Sequence, residues 1–193
     1  MKKFNDYDNV KSYADIKQLP KGAYVLRIMN AEEKENSNGK YIEISCDIEE
    51  GEYKDFFMED YKNQDREDKK WHCKYLLNEP KDDGSETDGW TKRRFKTVTE
   101  AIEESNQNYH WDWDETKWKG KLVGGLFNIR QYKTQNGDIR EATNLAQLCS
   151  VEKVKSGSYK LPKNKLIEDT PKQITGSEDF MKVPDDTPFD LPW

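Results

Sequence analysis

The 193-residue sequence predicts a mainly β fold: a small closed or nearly closed barrel with one short helix and a disordered C-terminal tail. Three observations carry this reading. Two long segments alternate apolar and polar residues about an Asn-Gly dipeptide, the pattern of half-buried hairpins. One short helical stripe lies between them, and the last stretch of chain has almost no periodicity.

Residues 22–49 read as the first hairpin. Tyr24, Leu26 and Ile28 share one face before Asn38-Gly39, and Ile42, Ile44, Cys46 and Ile48 share one face after it. A third short strand is expected around Tyr53–Met58. Residues 59–70 are too polar for a core and read as a loop. Trp71–Leu77 reads as another strand, and Asn78–Gly89, with Pro80, Gly84 and Gly89, as a second loop. Thr97 and Glu100 form a capping-box pattern ahead of the inward stripe Val98, Ala101 and Ile102, which predicts a helix over roughly residues 97–106. Leu122–Tyr132 and Ile139–Val151 form the second hairpin around Asn136-Gly137, and Gly124-Gly125 inside it suggests a bulge or bend. The organisation is then an arm over 1–19, a domain over 20–157 and a tail over 158–193.

Hydrophobic residues are 33% and charged residues 36%, which leaves material for one modest core and part of the chain unpacked. No run of about 18 apolar residues exists, so no membrane span is expected. No apolar run follows Lys2-Lys3, so no signal peptide is expected either. Three widely spaced cysteines, Cys46, Cys73 and Cys149, fit reduced thiols in a cytoplasm. The net charge is −6, of which residues 177–193 carry −4 and the remaining 176 residues only −2. Local basic patches can still dominate, since charges beyond about 8 Å are screened.

Catalytic constellations are scarce, and neither enzyme activity nor a cofactor is expected. His72 and His110 are the only histidines, and no zinc spacing, Walker loop, Gly-x-Ser-x-Gly elbow or dinucleotide fingerprint occurs. Asp112, Asp114 and Glu115 could hold Mg²⁺ as a nuclease would, or could simply cap a turn. Single-strand binding is better represented, because it needs aromatic faces for bases and cations that follow phosphates. Trp90-Thr91-Lys92-Arg93-Arg94-Phe95-Lys96 holds four cations and two aromatics. Trp118, Lys119 and Lys121, then Arg130, Tyr132 and Lys133, repeat the mixture, and Trp71 and Tyr75 add a strip beside Lys69, Lys70 and Lys74. Each aromatic has a core reading as well; the recurrence of the mixture favours the binding one.

The tail ends in a tandem Asp-x-Pro-aromatic motif: Asp186-Thr187-Pro188-Phe189, then Asp190-Leu191-Pro192-Trp193. Acids, prolines and exposed aromatics suit insertion into a basic pocket of a partner. Asp185-Asp186-Thr187-Pro188-Phe189 resembles the Asp-Asp-x-Pro-Phe tip of bacterial single-stranded DNA-binding proteins, although here the chain continues to Trp193. The body is similar to a family of single-stranded DNA-binding proteins from phages and integrative elements of Gram-positive bacteria. The matching stretches include Leu19-Pro20-Lys21-Gly22-Ala23-Tyr24-Val25, Asn38-Gly39-Lys40-Tyr41-Ile42-Glu43-Ile44, Trp90-Thr91-Lys92-Arg93 and Lys119-Gly120-Lys121-Leu122-Val123-Gly124-Gly125.

The resemblance implies an OB-like five-stranded barrel that coats single-stranded DNA in replication or recombination, with replication or recombination proteins recruited by the tail. The alternatives are a protein-binding adaptor whose aromatics are all core and, more weakly, a Mg²⁺-dependent nuclease.

Overall fold

The computed structural model describes residues 18–134 and 136–167, together with Asn5 and Tyr7. Five antiparallel strands make one sheet: β1 (Gly22–Asn36), β2 (Gly39–Ile48), β3 (Lys74–Asn78), β4 (Leu122–Lys133) and β5 (Ile139–Cys149). Their order is β3-β2-β1-β4-β5, so the class is mainly β, as the alternating runs predict. The sheet curls until β3 and β5 approach within 8 Å, Cα to Cα, yet no hydrogen-bonded ladder joins them. The barrel is therefore open along that seam. A partly open five-stranded barrel is the OB-type arrangement.

In the first hairpin Leu26 faces Ile48 and Ile28 faces Cys46, which puts the apolar set on the inner side. β1 runs to Asn36, well past the apolar alternation, because its charges are paired across the ladder. Lys34 Nζ meets Glu43 at 3.0 Å, and Lys40 Nζ meets Glu33 at 2.6 Å. The tight turn is Ser37-Asn38, one residue earlier than the Asn-Gly pattern suggests, and Gly39 carries the positive φ of +125°.

Among the described residues three α-helices stand where one was expected. The anticipated third strand is helix α1 (Phe56–Lys62). Its first N–H groups, which have no partner within the helix, are satisfied from β2: the buried Asp47 carboxylate accepts from Phe57 N and Met58 N, both at 3.0 Å. Burial pushes the Asp47 carboxyl up against the pull of these bonds.

Helix α2 spans Glu86–Ser105, twice the predicted length. Ser85 caps it by accepting from Asp88 N, and Asp88 in turn accepts from Lys81 N at 2.8 Å. Thr97, read as a cap, lies inside the helix and bonds back to Arg93 O. Helix α3 (Val151–Ser156) ends the second hairpin.

The core gathers Leu26, Ile44, Leu77, Ile102, Trp118 and Phe127 between the sheet and α2. A bulge does occur in the second hairpin, between Leu126 and Phe127, one residue beyond the glycine pair. The glycines themselves serve close approach. A Cβ on Gly124 would lie 2.6 Å from Val154 Cγ2 and 2.8 Å from Ser150 O. Gly124→Ala is thus expected to lower stability by about 1–3 kcal/mol. A urea midpoint equal to the parent's would mean that α3 yields freely.

β1 pairs with β4 only as far as Phe127, which leaves the next stretch of β4 with an unpaired edge. Part of the segment first assigned to the tail fills it. Lys165 N donates to Ile129 O and accepts through its carbonyl from Gln131 N, each at 2.8 Å, making a parallel bridge with Arg130. Asn128 Nδ2 donates to Lys163 O at 2.6 Å. Among the described residues no helix is long and apolar enough to cross a membrane.

Candidate nucleic-acid interface

Beyond Phe127, β4 and β5 continue as a ribbon whose cross-strand pairs sort its residues by face. Tyr132 stands opposite Arg140, and Arg130 opposite Ala142 on one side and Lys165 on the other. Paired residues share a face, and alternate residues along a strand share it too. Arg130, Tyr132, Arg140 and Lys165 therefore project together, with Lys163 two residues back along the same segment. Glu141 lies on the opposite face, where it accepts from Gln131 Nε2 at 2.9 Å. Among the described residues none of Arg130, Arg140, Lys163 and Lys165 has an ion pair. Tyr132 is 43% exposed in their midst. The face is thus an aromatic ring framed by uncompensated cations. Lys133 is exposed on the alternate face of the same ribbon.

The other predicted strips are divided. Tyr75, Phe95 and Trp118 are buried and cannot offer a face to a base. Tyr75 from β3, Phe95 from α2 and Trp118 from the 3-10 turn Glu115–Trp118 all join the core cluster. The Tyr75 hydroxyl accepts from Arg94 Nε at 2.9 Å, and the guanidinium covers the ring at 5.0 Å, so each occupies the other. Trp71 is half-buried and donates to Cys46 O at 2.9 Å.

Lys92 is held by Asp82 and by Asp88, the latter at 3.1 Å, and Lys96 pairs with Glu100 at 3.5 Å. Trp90 and Arg93 remain: the indole is 57% exposed, with the guanidinium 5.2 Å above its ring. Lys121 sits 4.9 Å over Tyr109, and Lys119 is exposed beside it. These two lysines precede β4, whereas Arg130–Lys133 end it. At roughly 3.3 Å per residue the two groups stand about 30 Å apart.

Trp90 rests beside Gly89, whose missing side chain opens onto solvent; a Cβ there would meet nothing within 4 Å. Glycine inside a helix costs about 0.5–1 kcal/mol relative to alanine. Gly89→Ala is expected to recover that much in urea unfolding. A destabilised variant would mean that another part of the chain fills this space.

A polar cleft of about 550 Å³ lies between the β1–β2 turn and the start of α2. Glu79, Asp83 and Asp88 line it against Lys40 and Lys81, so it offers no positive surplus to a phosphate.

Of the Asp112/Asp114/Glu115 group, the two aspartates are arranged around an ammonium. Lys117 pairs with Asp112 and lies 3.5 Å from Asp114. Among the described residues no group of three or more His, Cys, Asp or Glu side chains could hold a metal ion. Burial pushes the Cys46 thiol up to about 12 and the Cys149 thiol up to about 11, the opposite of an activated nucleophile. The proposed partner-binding residues Asp185, Asp186, Pro188, Phe189, Asp190, Leu191, Pro192 and Trp193 lie outside the described residues.

Sequence reasoning missed Arg140, Lys163 and Lys165. Arg140 was legible, because a hairpin centred on Asn136 pairs positions symmetrically about it and so sets Arg140 against Tyr132. The two lysines were not, since nothing in their own segment shows that it lies along β4. Neither the family models nor the curated proteins give a match to this chain.

Proposed function

We propose that this protein binds single-stranded DNA without catalysis, as the suggested phage and integrative-element family would, and recruits replication or recombination proteins through its C-terminal residues. The observation that carries the reading is the ribbon face on which Arg130, Arg140 and Lys165 surround the exposed ring of Tyr132. Phosphates meet the cations and a base stacks on the ring. The ribbon ends at the β4–β5 loop of a partly open barrel, a place where OB-type domains meet oligonucleotides. Trp90 with Arg93 offers a second, separate stacking surface. Exposed Tyr132 and Trp90 favour this reading over an adaptor whose aromatics are all core.

The test is anisotropy of a labelled oligo(dT) against the full chain at several salt concentrations. Micromolar or tighter binding is expected, with log K falling at a slope of about −0.7 for each phosphate neutralised. Duplex of equal length bound equally well would overturn the stacking model, since its bases are not free.

A further inference from the structure

We propose that Trp113 is the seat of a second interaction surface, which takes an arginine-bearing segment of a partner protein by stacking a guanidinium on the indole. Trp113 is the most exposed large hydrophobic side chain among the described residues, at 79%. It is not loose. One ring face lies parallel to Phe95 at 6.2 Å and 14°, and its flank meets Trp111 at 5.9 Å. Trp111 is itself seated on the buried Trp118 at 4.7 Å. The indole is thus fixed on an aromatic column rooted in the core, with its outer face turned to solvent. Its backbone has φ +66°, a left-handed conformation that a bulky residue adopts only against a cost. Held strain at an exposed aromatic is a mark of a functional position.

The charge around the ring selects the ligand. Asp112 and Asp114 flank Trp113 in sequence and share the single cation Lys117. Glu115 has no ion pair among the described residues. Of the α2 cations on either side of Phe95, Lys92 and Lys96 are already paired and Arg94 is held over the Tyr75 ring. Phosphates are repelled from such a surface, whereas a cation is drawn to it. A tryptophan face is the strongest cation–π acceptor, and arginine its more frequent partner. The surface is distinct from the Tyr132 face and does not depend on strand binding there.

The test uses the full chain and a labelled ten-residue Arg-Gly repeat peptide, with oligo(dT) measured in parallel. Trp113→Gly, which also relieves the left-handed backbone, and Glu115→Lys, which leaves the ring in place, are compared with the parent and with Tyr132→Ala. The acidic C-terminal residues are common to all, so differences between variants report the Trp113 surface. Both Trp113→Gly and Glu115→Lys are expected to weaken peptide binding about two- to fivefold. Trp113→Gly should leave oligo(dT) affinity unchanged, and Tyr132→Ala should leave peptide affinity unchanged. Peptide affinity equal to the parent's in Trp113→Gly would overturn the proposal. So would a loss of oligo(dT) affinity in that variant comparable to the loss in Tyr132→Ala, since Trp113 would then belong to the strand path.

Discussion

Reversing Arg130, Arg140 and Lys165 together to glutamate is expected to abolish measurable oligo(dT) binding at physiological salt. All three project from one ribbon face, and none has an ion pair among the described residues, so their full charge is available to phosphate. Losing three phosphate contacts should flatten the salt slope by about 2. Tyr132→Ala alone should cost about 1–3 kcal/mol of binding free energy. The fold should be unaffected, because these side chains sit on the exposed side of the ribbon.

The contrasting variant is the reversal of Lys92, Arg93 and Arg94. Lys92 is anchored to Asp82 and Asp88, and Arg94 to Tyr75, so the dominant effect there should be lost stability. A ribbon variant that binds like the parent, beside an α2 variant that folds but does not bind, would place the strand path over α2.

Trp118→Ala is expected to cost about 3–5 kcal/mol of folding stability. Domains of this size are stable by only about 5–15 kcal/mol, so the variant should be largely unfolded at moderate urea. Trp118 is fully buried, forms the base of the Trp111–Trp113 column, and is among the largest side chains of the core. Urea titration followed by far-ultraviolet circular dichroism measures the effect. A variant as stable as the parent but deficient in strand binding would put the ring back on the surface.

Both hairpins were legible because period-2 alternation reports directly which side of a strand is buried. Ile42, Ile44, Cys46 and Ile48 all face inward, as their spacing requires. The helices were less legible. The first turns of α2 show no apolar stripe, since the only buried side chain ahead of Phe95 is Asp88, held by Lys81 N and Lys92. α1 starts where it does because Asp47, ten residues before Phe57, supplies the acceptor for its first N–H groups. Local propensity contains no trace of either bond.

The division in the candidate interface has the same cause. Sequence alone determined the mainly β class, the two hairpins, and that cations and aromatics are interleaved, because these depend on residue type and on neighbours one to four positions away. Whether an aromatic faces solvent depends on what packs over it from elsewhere in the chain. Phe95 and Trp118 went to the core, and Tyr132, Trp90 and Trp113 stayed outside, through contacts with partners far along the sequence. The cations were sorted in the same way: Lys92 was neutralised by Asp82 and Asp88, while Lys165 was carried to Arg130 by a strand bridge across 35 residues. Only the tertiary structure could decide this, because a charge or a ring is made available or removed by the groups that folding brings within a few ångströms of it.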